Sequence, residues 1–275
     1  MDVLSSVPAF DLEAYLQRIR WSGDRTPALA TLASLMRAHV SAIPFENLDV
    51  LLGRPIRLDL DSIFSKLVTA RRGGYCFEQT TLFHAVLERF GYRVQTHAAR
   101  VVVFTPRAES ARSHMFLTVR GEGFSVVVDP GFGGQAPLVP IPIVAGAEVR
   151  DASDCHQFVR DGDEWVLQAE LEGRMVPLWT STLEPQYPID FVVANHYVST
   201  CADSPFVNRL MLRVITPEGS RTSVMNRDVT VRRGAAVTTY QLADRAALRT
   251  LLVKDFGFDL PEVESLTIPS VPEWS

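Results

Sequence analysis

The chain has no run of apolar residues long enough to cross a bilayer, which takes about 20. Its opening, Met1-Asp2-Val3-Leu4-Ser5-Ser6, has no basic region and no signal-peptide pattern. There are only three cysteines, an odd number. That argues against a disulfide framework and for a reducing compartment, so the expected location is the cytoplasm. Positive charge is not in excess either: the net charge is −5, which gives no electrostatic case for nucleic acid or an anionic membrane as partner. Cys155-His156 is adjacent in sequence, but no second pair stands at ligand spacing, so a loop or core position is expected rather than a metal site. Gly131-Phe132-Gly133-Gly134 is not a Walker loop, because no Lys-Ser/Thr follows it. No repeat, linker or low-complexity stretch is present, so the units of the chain should pack closely. What remains is 47% hydrophobic and 21% charged, the balance of an ordinary soluble enzyme, in a chain long enough for two or three compact units.

Within that frame, Arg72-Gly73-Gly74-Tyr75-Cys76-Phe77-Glu78-Gln79 says most. It places a cysteine after two glycines and at the head of a helical pattern of Phe77, Phe83, Val86, Leu87 and Phe90, with Gly91 as the stop. Cys76, Thr80, Phe83 and Leu87 share one stripe, so the sulfur should point inward. The positive end of a helix and its unpaired N–H groups favour a thiolate, the nucleophilic form. By itself the segment fits a small buried core cysteine as well.

Downstream, Ser113-His114-Met115-Phe116-Leu117-Thr118-Val119-Arg120 and Phe124-Ser125-Val126-Val127-Val128-Asp129-Pro130 flank Gly121-Glu122-Gly123 and read as a hairpin. With Gly121-Glu122 as a two-residue loop, Thr118 faces Ser125, Phe116 faces Val127 and His114 faces Asp129. Opposed Cβ atoms lie about 4.5–5.5 Å apart, close enough for a carboxylate to hold an imidazole through Nδ1–H. A buried Asp–His pair beside an activated Cys is the nucleophile–base–orienter arrangement.

The first third reads as helical. Asp11 can cap a helix carrying Leu12, Tyr15, Leu16 and Ile19. Thr26-Pro27 reads as a cap and first turn before Leu29, Leu32, Leu35 and Met36. Asp59 or Asp61 can cap Ile63, Phe64, Leu67 and Val68. From about Arg93 the period shifts towards two. Strands are expected at Val101-Val102-Val103, in the hairpin, at Glu164–Leu167 and at Met175–Trp179, with Asp161-Gly162-Asp163 as a turn. After Thr200 come Leu210–Ile215, a turn at Pro217-Glu218-Gly219, further short strands, and a helix carrying Leu248, Leu251, Leu252 and Phe256 that ends at Gly257.

Taken together, the chain resembles the arylamine N-acetyltransferase family. Arg71-Arg72-Gly73-Gly74-Tyr75-Cys76-Phe77-Glu78 is similar to its nucleophile motif, and His114 and Asp129 stand at the order and spacing of its triad. Ile43-Pro44-Phe45-Glu46-Asn47-Leu48-Asp49, Asp129-Pro130-Gly131-Phe132-Gly133-Gly134 and Asn195-His196-Tyr197-Val198-Ser199-Thr200 resemble three further family segments. Thr80 stands where the family usually has Asn, and Ala202 where it usually has Pro. The resemblance implies an α+β fold with a cysteine-protease-like catalytic core. Its parts would be an N-terminal helical bundle with the Cys (residues 1–92), a central β-barrel-like domain with the His and Asp (93–200) and a C-terminal α/β lid (201–275). It implies Cys76, His114 and Asp129 as catalytic residues, and acetyl-CoA as co-substrate with no metal. An arylamine or hydrazine would be the acceptor, against an apolar wall of Phe45, Val102 and Phe206. Gly131, Phe132, Gly133 and Gly134 would either turn the chain out of its strand or present N–H groups to coenzyme A. Glu46 and Glu78 suit partners for Arg72 or for backbone N–H groups. Two other chemistries share the triad: amide synthesis from a carrier-bound acyl chain, and transglutaminase- or papain-like peptide chemistry.

Overall fold

Asp11 turns the chain into its first helix by accepting the Ala14 N–H at 3.0 Å. The computed structural model describes residues 10–151, 154–271 and 274, so the opening hexapeptide read above lies outside them. Five helices follow in the N-terminal part: α1 (Leu12–Arg18), α2 (Leu29–Ala42), α3 (Leu48–Leu51), α4 (Leu60–Phe64) and α5 (Cys76–Arg89). A two-residue strand, β1 (Phe45–Glu46), interrupts them. Asp59 is the residue that caps α4, taking the Ser62 N–H at 2.9 Å, and α4 runs on into a π turn, Ser65–Thr69. α2 begins two residues later than its sequence suggests. The Thr26 hydroxyl is spent on Asp24 at 3.1 Å, and Ala28 caps the helix with no side-chain bond. Tyr15, Leu32, Leu35, Met36, Leu67, Phe83, Val86 and Leu87 interlock in one core that also takes in Leu117 and Val126 from the sheet behind. A fully buried side chain of this size contributes about 1.5–3 kcal/mol, so this packing fixes α5 on the sheet.

That sheet is antiparallel and eight-stranded: β2 (Arg93–Val101), β3 (His114–Gly121), β4 (Phe124–Val128), β5 (Ile141–Pro142), β6 (Ala147–Asp151), β7 (Asp154–Asp161), β8 (Glu164–Leu171) and β9 (Arg174–Ser181). Its order is β5-β4-β3-β2-β9-β8-β7-β6. β5 returns beside β6 and β7, so the sheet nearly closes into a barrel. The strand expected at Val101–Val103 lies earlier: Val102 and Val103 fall past its end, where the Val102 N–H meets Leu178 O at 2.9 Å. Cys155 and His156 sit on β7 with both side chains buried, so their position is core strand and not loop.

The hairpin forms between the expected strands but in a register shifted by two. Gly121 faces Phe124, Thr118 faces Val127 and Leu117 faces Val128. The loop is Glu122-Gly123, with Gly123 in the left-handed region at φ +75°. The direct opposition of Phe116 to Val127 and of His114 to Asp129 is therefore corrected. A two-residue slip keeps every side chain on its face, so His114 and Asp129 remain diagonal neighbours on one side of the sheet.

Two helices, α6 (Pro188–Thr200) and α7 (Pro205–Asn208), lead into a second sheet. α6 has no legible period because Ile189, Val192 and Val193 are exposed. The second sheet joins β10 (Met211–Ile215), β11 (Arg221–Met225), β12 (Asp228–Arg233) and β13 (Ala236–Gln241) in the order β1-β10-β11-β12-β13. Last, α8 (Arg245–Leu251) runs into a π turn, Leu252–Phe256, and stops at Gly257 with φ +78°. The architecture is α+β: a helical bundle, a barrel-like sheet and an α/β lid, with the cysteine at the head of a helix packed on the sheet. Among the described residues no helix is long and apolar enough to cross a membrane.

Candidate active site

Cys76 is the first residue of α5, as its sequence context implies, and it is 4% exposed. Its N–H belongs to the first turn and has no acceptor within the helix. Glu78 closes the helix start by taking the Tyr75 N–H at 3.1 Å. Gly131 presses on the cysteine from the other side: a Cβ built there would lie 2.7 Å from Cys76 Cα. Only glycine lets the turn after Asp129 come this close.

His114 begins β3, and its Nε2 meets Asp129 Oδ2 at 2.9 Å. The bond thus uses Nε2, where the sequence reading had Nδ1, and leaves Nδ1 for the sulfur of Cys76. Burial alone would push this ring towards neutrality. The Asp129 carboxylate, the hydrogen bond to it and the neighbouring Cys76 sulfur outweigh burial and raise the imidazolium to about 10. Asp129 is fully buried, and its Oδ2 also accepts the Trp179 indole N–H at 2.9 Å. Trp179 reaches it because β9 carries a bulge: Leu167 faces Trp179 while Gln168 faces Pro177, so Leu178 is the extra residue. The bulge turns both Leu178 and Trp179 into the core and aims the indole at the carboxylate. In the sequence Trp179 stands only as the end of a strand, since nothing local marks a contact 50 residues away.

A buried charge cluster fixes the segment before Cys76. Arg72 bonds Glu46 at 2.6 Å and Asp49 at 2.8 Å, while Lys66 bonds Asp49 at 2.8 Å and Glu78 at 2.7 Å. Burial opposes the Lys66 charge, but Glu46, Glu78 and Asp49 outweigh it and hold the ammonium well above its usual range. Burial also works against the Asp49 charge, yet Lys66 and Arg72 bring that carboxyl down to about 2. For Glu78 burial prevails and pushes the carboxyl up. Glu46 and Glu78 are thus partners of cations and of backbone N–H groups, Glu46 taking the Leu48 N–H at 2.8 Å. On the other flank the Tyr75 hydroxyl bonds Asn195 of α6, and Asn195 in turn donates to Ile56 O at 3.0 Å.

Of the expected apolar wall, Phe45 and Phe206 pack in one cluster with Cys76, Tyr75, Phe77 and Met115, their rings 6.2 Å apart. Asn47 holds the Phe206 segment by donating to Phe206 O at 2.8 Å and Arg209 O at 2.7 Å. Val102 is half-buried at the end of β2 and is not part of that cluster. In the glycine turn, Phe132 stands edge-on to His114 at 5.1 Å, Gly133 lies against the Phe45 ring and Gly134 is exposed. The Thr80 hydroxyl turns neither to the sulfur nor to its own helix but donates to Met115 O at 3.2 Å, tying α5 to the strand of His114. Two wider concavities, of about 650 and 790 Å³, open elsewhere, and neither is lined by Cys76, His114 or Asp129. Among the described residues no group of His, Cys, Asp and Glu is arranged to hold a metal ion. A sulfur beside an imidazolium that a buried carboxylate anchors can act as a nucleophile and shuttle a proton.

A family model described as N-acetyltransferase matches residues 28–265. The arylamine N-acetyltransferase of Mycolicibacterium smegmatis is 38% identical over 262 residues, covering 93% of this chain and 94% of that one. The arylamine N-acetyltransferase of Escherichia coli (strain K12) is 35% identical over 254 residues, covering 92% and 90%. The structure of Mycobacterium marinum arylamine N-acetyltransferase in complex with CoA superposes with a TM-score of 0.87 at 35% identity, covering 92% of this chain and 94% of that one.

Proposed function

The chain belongs to the arylamine N-acetyltransferase family, and we propose that it acetylates arylamines and hydrazines with acetyl-CoA through an acetyl-Cys76 intermediate. The observation that carries this reading is the buried line of Cys76, His114 and Asp129, with the carboxylate on Nε2 and the sulfur beside the same ring.

The Cys76 thiolate, paired with the His114 imidazolium, attacks the acetyl thioester carbonyl. A new C–S bond forms, and the N–H groups at the head of α5, that of Cys76 included, receive the developing oxyanion. The bond to the coenzyme sulfur breaks, and His114 protonates the departing thiolate. The acceptor amine then attacks the acetyl-Cys76 carbonyl while His114 takes its proton. Collapse breaks the C–S bond, releases the amide and restores the thiolate–imidazolium pair. Asp129 keeps the ring oriented and balances its charge in both halves. Two half-reactions sharing one site make ping-pong kinetics the expected pattern.

Phe45 and Phe206 suit the flat face of an aromatic acceptor, and Gly131 to Gly134 suit the coenzyme side, where backbone can approach a bulky donor. Val102 supports the acceptor side from farther out. The units 1–92, 93–200 and 201–275 would then supply nucleophile, base and lid. A reducing cytoplasm is the setting we assign, because Cys76, Cys155 and Cys201 are all free thiols. The test is release of coenzyme A from acetyl-CoA in the presence of an arylamine and hydrazine panel, with peptide amines as controls. Turnover restricted to the panel supports the reading; turnover on peptides alone overturns it.

A further inference from the structure

Among the described residues three arginines are buried: Arg18, Arg213 and Arg221. Arg18 donates to the carbonyls of Leu67 and Arg71, at 3.0 and 3.1 Å. Arg221 is bonded to Asp154 at 2.8 Å. Arg213 is different. It is 4% exposed, forms no ion pair among the described residues, and neither of its terminal nitrogens has an acceptor. A guanidinium buried without compensation is costly, so a position that keeps one calls for a physical reason.

Its surroundings supply one. Arg213 lies on β10 opposite Phe45 of β1. It lines a small cavity with Pro130 and Gly133, which follow Asp129, and with Gln79 of α5. Gln79 Oε1 and Asp129 Oδ1 are themselves buried acceptors without a donor. Unmatched donors on the lid sheet thus face, across this cavity, Gln79 and the turn that follows Asp129, and Gln79 and Asp129 each keep an unmatched acceptor at the edge of the Cys76–His114–Asp129 line. Of the other charged groups around Arg213, Glu46 of β1 is engaged by Arg72 and Lys66, and Arg221 of β11 by Asp154. His39 of α2 is kept neutral by burial, at about 3, with its Nδ1 on the Tyr15 hydroxyl. His156 of β7 is also pushed down by burial and bonds Gln135 O at 2.8 Å. The carboxylate whose field Arg213 feels is that of Asp129, although burial still lowers the guanidinium to about 9.

We infer that Arg213 is a positioning residue of the reaction proposed above, the lid's own cation set behind Asp129 so that the buried site stays electrically balanced. With thiolate, imidazolium, carboxylate and guanidinium present, the four charges sum to zero. Without Arg213 the same state carries one uncompensated negative charge in a low-dielectric interior. Forming the thiolate then becomes harder, and the imidazolium holds its proton more tightly. Both effects move the pH dependence of the site upward. The lid would therefore contribute to the chemistry as well as covering it.

The test compares Arg213→Met, Arg213→Gln and Arg213→Lys in the full chain, following the pH profile of iodoacetamide alkylation at Cys76. Alkylation needs no acetyl-CoA, so this arm stands even if the acetyltransferase reading fails; acetyl-enzyme formation is measured separately. Arg213→Met should move the alkylation profile up by about one pH unit, the scale of a nearby buried charge. Its acetylation rate should fall about tenfold with the thiolate population at pH values below the parent's alkylation midpoint. Arg213→Lys, which keeps the charge, should retain most of the parent profile. Should the Met variant not fold, Arg213→Gln against Arg213→Lys makes the same comparison. A charge-free variant that alkylates with the parent's profile, whatever its melting temperature, would overturn the proposal and leave Arg213 a packing residue.

Discussion

The indole of Trp179 and the imidazole of His114 meet on the same oxygen of Asp129, each at 2.9 Å. Two rings from strands far apart in sequence thus fix one carboxylate. Trp179 is stacked on Phe116 at 4.3 Å, so the indole is itself immobilised. Trp179→Phe keeps the stack and deletes the donor. A hydrogen bond to a charged group is worth about 1.5–3 kcal/mol, so single-turnover acetylation should slow by about 10- to 100-fold. Parent-like rates would show that Asp129 needs no donor besides His114.

Asp129→Asn removes the charge that outweighs burial at His114. A ring whose folded value rises from 6.5 to about 10 contributes stability that is complete below 6.5. That contribution fades as the pH climbs through this window, because the unfolded chain has already lost the proton. The parent's melting temperature should therefore fall more steeply between these limits than that of Asp129→Asn. Parallel curves would separate the carboxylate from the charge of the ring.

Gly131→Ala places a methyl group 2.7 Å from Cys76 Cα and 3.2 Å from Cys76 O, both backbone atoms that cannot swing away. Overpacking of this kind costs about 1–3 kcal/mol, and here it also displaces Cys76. Melting temperature and acetyl-enzyme formation should drop together. A variant normal in both would mean that the turn relaxes freely.

Arg72→Met leaves Glu46 and Asp49 with Lys66, 3.9 and 2.8 Å away, as the buried cation that remains to them. Breaking a buried ion pair from one side costs about 3–5 kcal/mol, since the carboxylates remain buried with half of their positive charge gone. Denaturant unfolding should show a loss of that size, largest near neutral pH and fading as acid protonates Asp49, whose carboxyl the cations hold at about 2. A loss below about 1 kcal/mol, the worth of an exposed pair, would show that Lys66 compensates alone.

How much of this was legible depended on how local each signal was. Cys76 could be placed at a helix head from the glycines before it and the apolar stripe behind it. The Asp59 and Asp11 caps and the Gly257 stop were equally local, and each forms as expected. The hairpin was visible, but Gly121 and Gly123 compete for its loop. The left-handed residue is Gly123, so the register moved by two while His114 and Asp129 kept a common face. Thr80 shares the Cys76 stripe, yet its hydroxyl finds Met115 O on the neighbouring strand, a choice only the packed fold offers. Trp179 and Arg213 gave no sequence signal at all. One depends on a bulge in β9, the other on how the lid sheet meets the turn after Asp129. α6 was missed because its exposed apolar side chains break the helical period.

The most direct measurement is intact-mass spectrometry of the full chain after brief exposure to acetyl-CoA without amine, followed by peptide mapping. One acetyl group should appear, on Cys76, should vanish when an arylamine is added, and should be lacking in a folded Cys76→Ser variant. An adduct on Cys155 or Cys201 instead, or amine acetylation that persists in Cys76→Ser, would contradict the assignment of Cys76 as the acyl carrier.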